Sequence, residues 1–371
     1  QIVAQGWLIY RLSHSPFLLA LDQFLGGIPI FVLSLLGGVI ADRVERRRIL
    51  LASQYLQLLS AGTLTLLVAT GRVQVWEILC LSLVSGFAQA FGGPAYSALI
   101  PTLVDRDDMP NAIALNSIQF NLAVAVGPAL GGMTLAKLGE AWCFGLNTVS
   151  FIAPVIALTM ITSRFMPKKT TDSMLSSFKQ GIAFVRKQGS MEALILLAFC
   201  MTFLSMPLRT YFPVFVKDIF HRGPETLGWL SSFMGVGSIC GSLLFASLGN
   251  FKRKGRLAVL MMILLGASIA TFALSKSLFF SYAMAMLVGF AMMTAFAAVT
   301  SLVQLITTDD MRGRVMSVYN AAFRGGMPMG NLMSGSLVPM LGAPTVLAAN
   351  GILLVLIASY FIVTRARVTA L

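Results

Sequence analysis

The sequence predicts an all-helical polytopic membrane protein of twelve helices in two similar six-helix halves. Three observations carry that fold class. The 371 residues are 57% hydrophobic and only 11% charged, with a mean hydropathy of +0.83, whereas soluble domains carry about 25% charged residues. Apolar stretches long enough to cross a hydrocarbon core of about 30 Å recur along the whole chain. The two halves also repeat each other in order. A shift of 208 superposes Pro16 on Pro224, Asp42 on Asn250 and Arg48 on Arg256, and a shift of 203 pairs Gly132 with Gly335, Gly139 with Gly342 and Asn147 with Asn350.

The first half, 1–163, reads as helices over 1–11, 16–40, 49–70, 74–101, 111–138 and 141–163. The first of these is short. Its counterpart starts near residue 190, so the repeat predicts a natural chain with about 18 further residues ahead of Gln1. In the second helix Asp22 and Gln23 interrupt an apolar run. A charge at mid-bilayer costs about 2.5–3.5 kcal/mol on insertion scales, so it faces a cavity or a partner. Asp22 is therefore a candidate proton-binding carboxylate, since desolvation favours the neutral form of an acid. A helix-end position exposed to water is the plainer alternative.

Between the second and third helices stands "GGVIADRVERRR", residues 37–48, with Asp42, Arg43, Glu45, Arg46, Arg47 and Arg48. A net charge of +13 would point to nucleic acid in a soluble protein. Here the basic residues sit in short loops between apolar segments, which argues against a nucleic-acid partner and for topology. The loops on the side of this stretch, with the C-terminus, hold 19 of the 27 Lys and Arg, and the opposite loops hold six. The arginine-rich side is thereby expected in the cytoplasm, with both termini, and in contact with anionic lipid.

The fourth helix carries Gln89 and Tyr96 but no arginine. The fifth contains Gln119, Asn121 and "GPALGG", Gly127 to Gly132, where Pro128 removes a backbone donor and Gly127, Gly131 and Gly132 allow close helix approach. Asn147 lies in the sixth. A linker, 164–189, follows, and its "SSFKQGIAFVRK" spaces Phe178, Ile182 and Val185 as an interfacial amphipathic helix.

The second half, 190–371, reads as helices over 190–217, 224–250, 256–276, 279–306, 314–338 and 343–364. Arg209 follows Pro207 near the middle of the seventh helix, and Arg324 stands beside Gly325 and Gly326 in the eleventh. Arg324 is a candidate for holding an anionic substrate or neutralising an acid, with a structural contact near the cytoplasmic end as the plainer alternative, and Arg209 calls for a cavity. Gln304 and Asn320 join Gln23, Gln89, Gln119, Asn121 and Asn147 as polar candidates for a cavity wall. Mixed with Phe120, Tyr319 and Phe323, they suit a small amphipathic organic molecule, with an interhelical hydrogen bond the plainer reading of each.

Other classes find little support. Cys80, Cys143, Cys200 and Cys240 lie in apolar stretches without metal-like spacing, and His14 and His221 fall in loops. There is no GxxxxGK[ST] phosphate loop and no readable nucleophile, base and acid set, so neither an ATP-driven pump nor an enzyme is expected.

The chain resembles the major facilitator superfamily over nearly its full length. The family's helix 2–3 loop pattern, G-x-x-x-D-R-x-G-R-R-[KR], is matched by Gly38, Asp42, Arg43, Arg46, Arg47 and Arg48, with Glu45 where glycine is expected. A degenerate copy, "GNFKRKGR", occupies 249–256 with Asn250 in place of the acid. In the family this loop latches the cytoplasmic side while the transporter faces outward. "GPALGG" is similar to the end of the pattern of the exporter branches, and 91–132 and 312–330 resemble the branch of enterobactin exporters and drug or metabolite exporters.

The resemblance implies a secondary active exporter working by alternating access in a bacterial inner membrane, acting as a monomer. It implies no cofactor beyond the proton-motive force. Many proton-antiporter families carry an arginine in helix four, and this chain departs from them there. A lipid or lysolipid translocator and a non-transporting receptor or scaffold are the competing readings.

Overall fold

The computed structural model describes residues 1–105, 107–161, 174–249 and 253–364, without the side chains of 34–43, 101, 174–177 and 362–364. Among the described residues the regular structure is helical throughout, and ten helical runs are long and apolar enough to cross a membrane.

The helices run as α1 Ile2–Ser13, α2 Pro16–Arg43, α3 Arg46–Ala69, α4 Val75–Leu99, α5 Met109–Leu138, α6 Glu140–Ser150 and α7 Ile152–Met160. They continue as α8 Met174–Lys187, α9 Gly189–Ser205, α10 Pro207–Thr210, α11 Phe212–Val214, α12 Pro224–Ser247, α13 Lys254–Leu274, α14 Leu278–Ile306, α15 Arg312–Leu341 and α16 Ala343–Thr364.

Local chemistry sets the boundaries. His14 leaves α1 in the left-handed region at φ 50°, and Pro16 then starts α2 with its fixed φ at the first helical position. Gln74 and Glu77 form a reciprocal capping box at the start of α4. Gly139 at φ 86° separates α5 from α6, and Gly342 at φ 82° separates α15 from α16. These are the two glycines paired by the sequence repeat, and their shared left-handed backbone is open to glycine without steric cost.

Two sequence-predicted helices are not continuous. The span over 141–163 is divided at Phe151, because Pro154 cannot donate to the carbonyl of Ser150. The helix expected over 190–217 breaks into α9, α10, α11 and a π turn, Phe215–Ile219, at Pro207 and Pro213. Two expected spans fall outside the ten. One is α1, which has only twelve residues. The other is α15, which carries Arg312, Arg314 and Arg324 but packs on α2 and α9, so less of it must be apolar toward lipid.

The packing repeats as the sequence does. α2 lies on α4 as α12 lies on α14, α3 on α6 as α13 on α16, and α5 on α12 as α15 on α2. The last two crossings join early helices to late ones through small residues. A Cβ on Gly132 would stand 2.7 Å from Gly228 Cα, and one on Gly235 2.9 Å from Ala125 Cα. On the α2–α15 side, Gly27 meets Pro328, Gly325 meets Phe31 and Gly335 meets Ala20. Backbones this close gain dispersion contacts that larger side chains would forbid.

The linker helix α8 docks rather than lying free. Gly181 sits against the Arg314 carbonyl of α15, and Val185 is buried. The preceding stretch, 162–173, lies outside the described residues.

Candidate functional site

A cavity of about 600 Å³ opens between the early and late helices, within the range of small-molecule sites. Asp22, Gln23, Gly26, Gly27 and Ile30 of α2 line it with Gln57 of α3, Ser82, Ser85 and Gln89 of α4, and Asn147 of α6. The late helices contribute Thr202 of α9, Met206, and Phe323, Arg324, Met327 and Pro328 of α15. A smaller cavity of about 230 Å³ abuts it, sharing Ile2, Asp22, Gln23, Met206 and Met327 and adding Arg209, Thr210, Pro213 and Ser231.

Asp22 is the hub of the early wall. It is only 2% exposed, and three neutral donors surround it. Gln5 Nε2 donates to its Oδ1 at 2.8 Å, Gln23 Nε2 to its Oδ2 at 3.2 Å, and the Ser82 hydroxyl also donates to Oδ1. Gln5 Nε2 lies 2.7 Å from Ser82 Oγ as well. Gln1 Nε2 donates to Gln5 Oε1 at 3.2 Å, and Asn147 Nδ2 donates to Gln1 Oε1. The chain of amides ties α1, α2, α4 and α6 around one carboxyl. It satisfies a buried acid without an arginine, which is how a carboxyl can hold or release a proton without breaking an ion pair.

Arg209 and Arg324 stand apart from that hub. Both are exposed, the first to the smaller cavity and the second to the larger. Arg209 sits on the single turn α10 between the breaks at Pro207 and Pro213. Interrupted helices of this kind commonly build midplane sites in transporters. Phe323 is held beside Arg324 by Phe296, with ring centroids 4.6 Å apart, and by Tyr319 at 6.3 Å.

The structure thus gathers Asp22, Gln23, Gln89, Asn147, Arg209 and Arg324 about two adjoining cavities. It does not bring the remaining amides there. Gln119 is exposed on α5, and Asn121 returns its Nδ2 to the Ser117 carbonyl of its own helix at 2.8 Å. Gln304, near the end of α14, and Asn320 of α15 are exposed and line neither cavity. Sequence reasoning did not reach Gln5, Gln57, Ser82, Thr202 and Met206. Gln1 and Gln5, four apart on a largely apolar helix, were a readable signal; a serine such as Ser82 was not, because a helical serine hydroxyl commonly turns back to its own backbone, and Ile78 O lies 3.0 Å away as the alternative acceptor.

The arginine-rich turn has a defined local role. Arg46 Nη1 donates to the Ala98 carbonyl at 2.9 Å, at the end of α4. Arg47 Nε and Nη2 donate to the carbonyls of Leu158 and Thr159, 2.7 and 2.8 Å away, at the end of α7. Cations there satisfy orphan carbonyls and oppose the negative end of the helix dipole. These two arginines therefore staple α3 to α4 and α7, all early helices, rather than reaching a late one. Glu45, which replaces the family's glycine, precedes α3 and pairs with Arg48 at 2.9 Å. The surroundings of Gly38 and the side chains of Asp42 and Arg43 lie outside those described, as does Asn250.

The glycines of "GPALGG" differ in use. Gly132 is pressed against Gly228, while a Cβ on Gly127 would meet nothing within 4 Å and one on Gly131 only Val3 at 4.0 Å. The Pro128 carbonyl stands 2.6 Å from where a Gly228 Cβ would be, so it shares the crossing.

The profile of the transmembrane secretion effector family of the major facilitator superfamily matches residues 1–371. The multidrug efflux pump Tap of Mycolicibacterium fortuitum is 24% identical over 351 residues, 92% of this chain and 85% of its own. The enterobactin exporter EntS of Shigella boydii serotype 4 is 25% identical over 349 residues, 94% of this chain and 83% of its own. Among solved structures, nucleoside transporter NupG superposes with a TM-score of 0.72 at 15% identity, covering 98% of this chain and 94% of that one. A mutant of peptide transporter POT gives 0.78 at 12% identity, covering 99% and 91%. At such identities the structural likeness concerns the fold alone.

Proposed function

This chain belongs to the transmembrane secretion effector family of the major facilitator superfamily, and from that membership we propose that it is a proton-coupled exporter of a small amphipathic organic compound. The observation that carries the reading is a cavity whose wall is drawn from early and late helices alike, with Asp22 and Gln89 on one side and Thr202 and Arg324 on the other. A chamber between two sets of helices can open to one face and then the other when the sets rock. The glycine crossings α5–α12 and α2–α15 supply close contacts about which such rocking proceeds.

In this reading 1–163 and 190–371 move as two bundles joined by the linker 164–189. Asp22 takes up a proton in one orientation and releases it in the other. Asp42 and Arg43 latch the arginine-rich side, which faces the cytoplasm of a bacterium with both termini. The efflux activity named for Tap and EntS favours export over uptake, and the protein works as a monomer without a bound cofactor.

The test is purified protein in liposomes under an imposed pH gradient. Addition of transported compound should dissipate the gradient in wild type, and Asp22→Asn should abolish that coupling while binding persists. A panel of aromatic cations, anions and neutral compounds that leaves the gradient untouched would sink the reading. Unchanged coupling in Asp22→Asn would move the proton site elsewhere.

A further inference from the structure

Resting on the cavity as the transport site, we infer that its substrate is an organic anion: an apolar, ring-bearing body with a carboxylate or a group of like charge. The charges on the walls lead to this class. The walls of the two adjoining cavities hold one acid, Asp22, and two arginines, Arg209 and Arg324. Asp22 is already engaged by Gln5, Gln23 and Ser82. Three donors occupy most of the roughly four lone-pair positions of its two oxygens.

The arginines are in the opposite condition. The ion pairs among the described residues are Arg11 with Glu140, Arg48 with Glu45, and Arg312 with Asp309. Neither Arg209 nor Arg324 takes part, and neither guanidinium has a hydrogen-bond acceptor among the described residues. A guanidinium stays charged at any relevant pH and offers a planar fork that fits a carboxylate. Each faces a cavity rather than lipid, and its donors are free for an arriving anion. An arriving cation would meet two like charges and a single acid whose oxygens already accept three hydrogen bonds.

The rest of the wall sets the body of the substrate. Phe323, braced by Phe296 and Tyr319, stands next in sequence to Arg324, and Ile30, Met206 and Met327 add apolar surface. A flat ring can lie on Phe323 while its charged group reaches Arg324. Arg209, on the short turn α10, faces the adjoining space, where a second anionic or polar group would fit.

Three naphthalene probes of one shape separate the charge classes: 1-naphthoate, 1-naphthylmethanol and 1-naphthylmethylamine. Their binding to the purified full chain is measured by calorimetry at low salt. Naphthoate should bind at least about tenfold tighter than either other probe. Arg324→Gln should lose that preference, Arg209→Gln should reduce it, and Arg324→Lys should retain part of it, with thermal unfolding midpoints unchanged. Equal or tighter binding of the amine, no measurable binding of naphthoate, or unaltered naphthoate affinity in both glutamine variants would overturn the assignment. The two readings fail separately. Proton-driven flux of the amine with weak naphthoate binding removes the anion class and leaves the exporter standing, whereas naphthoate binding without any driven flux removes the exporter and leaves the anion site.

Discussion

The Tyr10 hydroxyl donates to the carboxylate of Asp218, joining the end of α1 to the π turn that closes the broken seventh span. Around that bond Lys217 Nζ lies 3.2 Å from His14 Nδ1 and 5.4 Å from the centre of the Tyr10 ring. Tyr10 is buried and Asp218 exposed. The cluster therefore bridges an early helix and a late one at the end of the molecule away from the Arg46–Arg48 turn. No comparable early-to-late ion pair or side-chain hydrogen bond is found at the arginine-rich end among the described residues.

Tyr10→Phe should consequently favour opening at the Tyr10 end. One partly exposed hydrogen bond to a carboxylate contributes about 1 kcal/mol, enough to shift a two-state ratio about fivefold. Spin labels at Arg72 and Ser275, on a background without the four native cysteines, would report the distance distribution. An increase in the longer-distance population is expected, and an identical distribution in Tyr10→Phe and Asp218→Asn would remove the latch.

At the α5–α12 crossing, Gly132→Ala and Gly127→Ala should diverge although both lie in "GPALGG". The new methyl at 132 meets backbone at 2.7 Å, which cannot step aside, whereas at 127 it meets open space. Overpacking of that kind costs about 1–3 kcal/mol, while a glycine-to-alanine change in an uncrowded helix gains up to about 1 kcal/mol. Thermal unfolding in detergent should fall for the first and hold or rise for the second. Equal midpoints would mean that the crossing relaxes freely.

Much of this was legible in residues, and the reason it stopped is physical. Asp22, Arg209 and Arg324 could be found because a charge in an apolar run needs a cavity or a partner. Gln119, Asn121, Gln304 and Asn320 carry similar polarity, yet the structure leaves them off the cavity walls. Helices that are apolar nearly all round have no hydrophobic face from which to tell inward from outward. The break of the seventh span was written in Pro207 and Pro213, but how far a proline unwinds a helix depends on the neighbours that satisfy the freed carbonyls. The pairing of Arg46 and Arg47 with helix ends required knowing which helices end beside α3.

Those pairings separate the arginines experimentally. Arg47→Ala loses two charge-assisted bonds to the end of α7, and the loss should destabilise the protein by about 1.5–3 kcal/mol. Arg48→Ala removes only an exposed pair with Glu45, for which about 0–1 kcal/mol is typical. Hydrogen exchange should quicken over 156–160 in the first variant and stay at the wild-type rate in the second. Equal protection in both would show that the staple to Leu158 and Thr159 is not formed in solution.

Phe323 offers a test that does not depend on the arginines. Its ring is fixed by Phe296 and Tyr319 and forms part of the larger cavity wall. Phe323→Ala removes the stacking surface and leaves the charges in place. Ring-on-ring contacts are worth about 0.5–1.5 kcal/mol beyond the area they bury, so affinity for a naphthalene-based ligand should drop about tenfold. Phe323→Leu keeps apolar area without a π face and should recover only part of that loss. Preference among naphthoate, its alcohol and its amine should stay as in wild type, because charge selection lies with Arg324 and Arg209. Calorimetry on the three probes decides it: an altered charge preference would mean that Phe323 positions Arg324, and unaltered affinity would place the ring of the ligand elsewhere in the cavity.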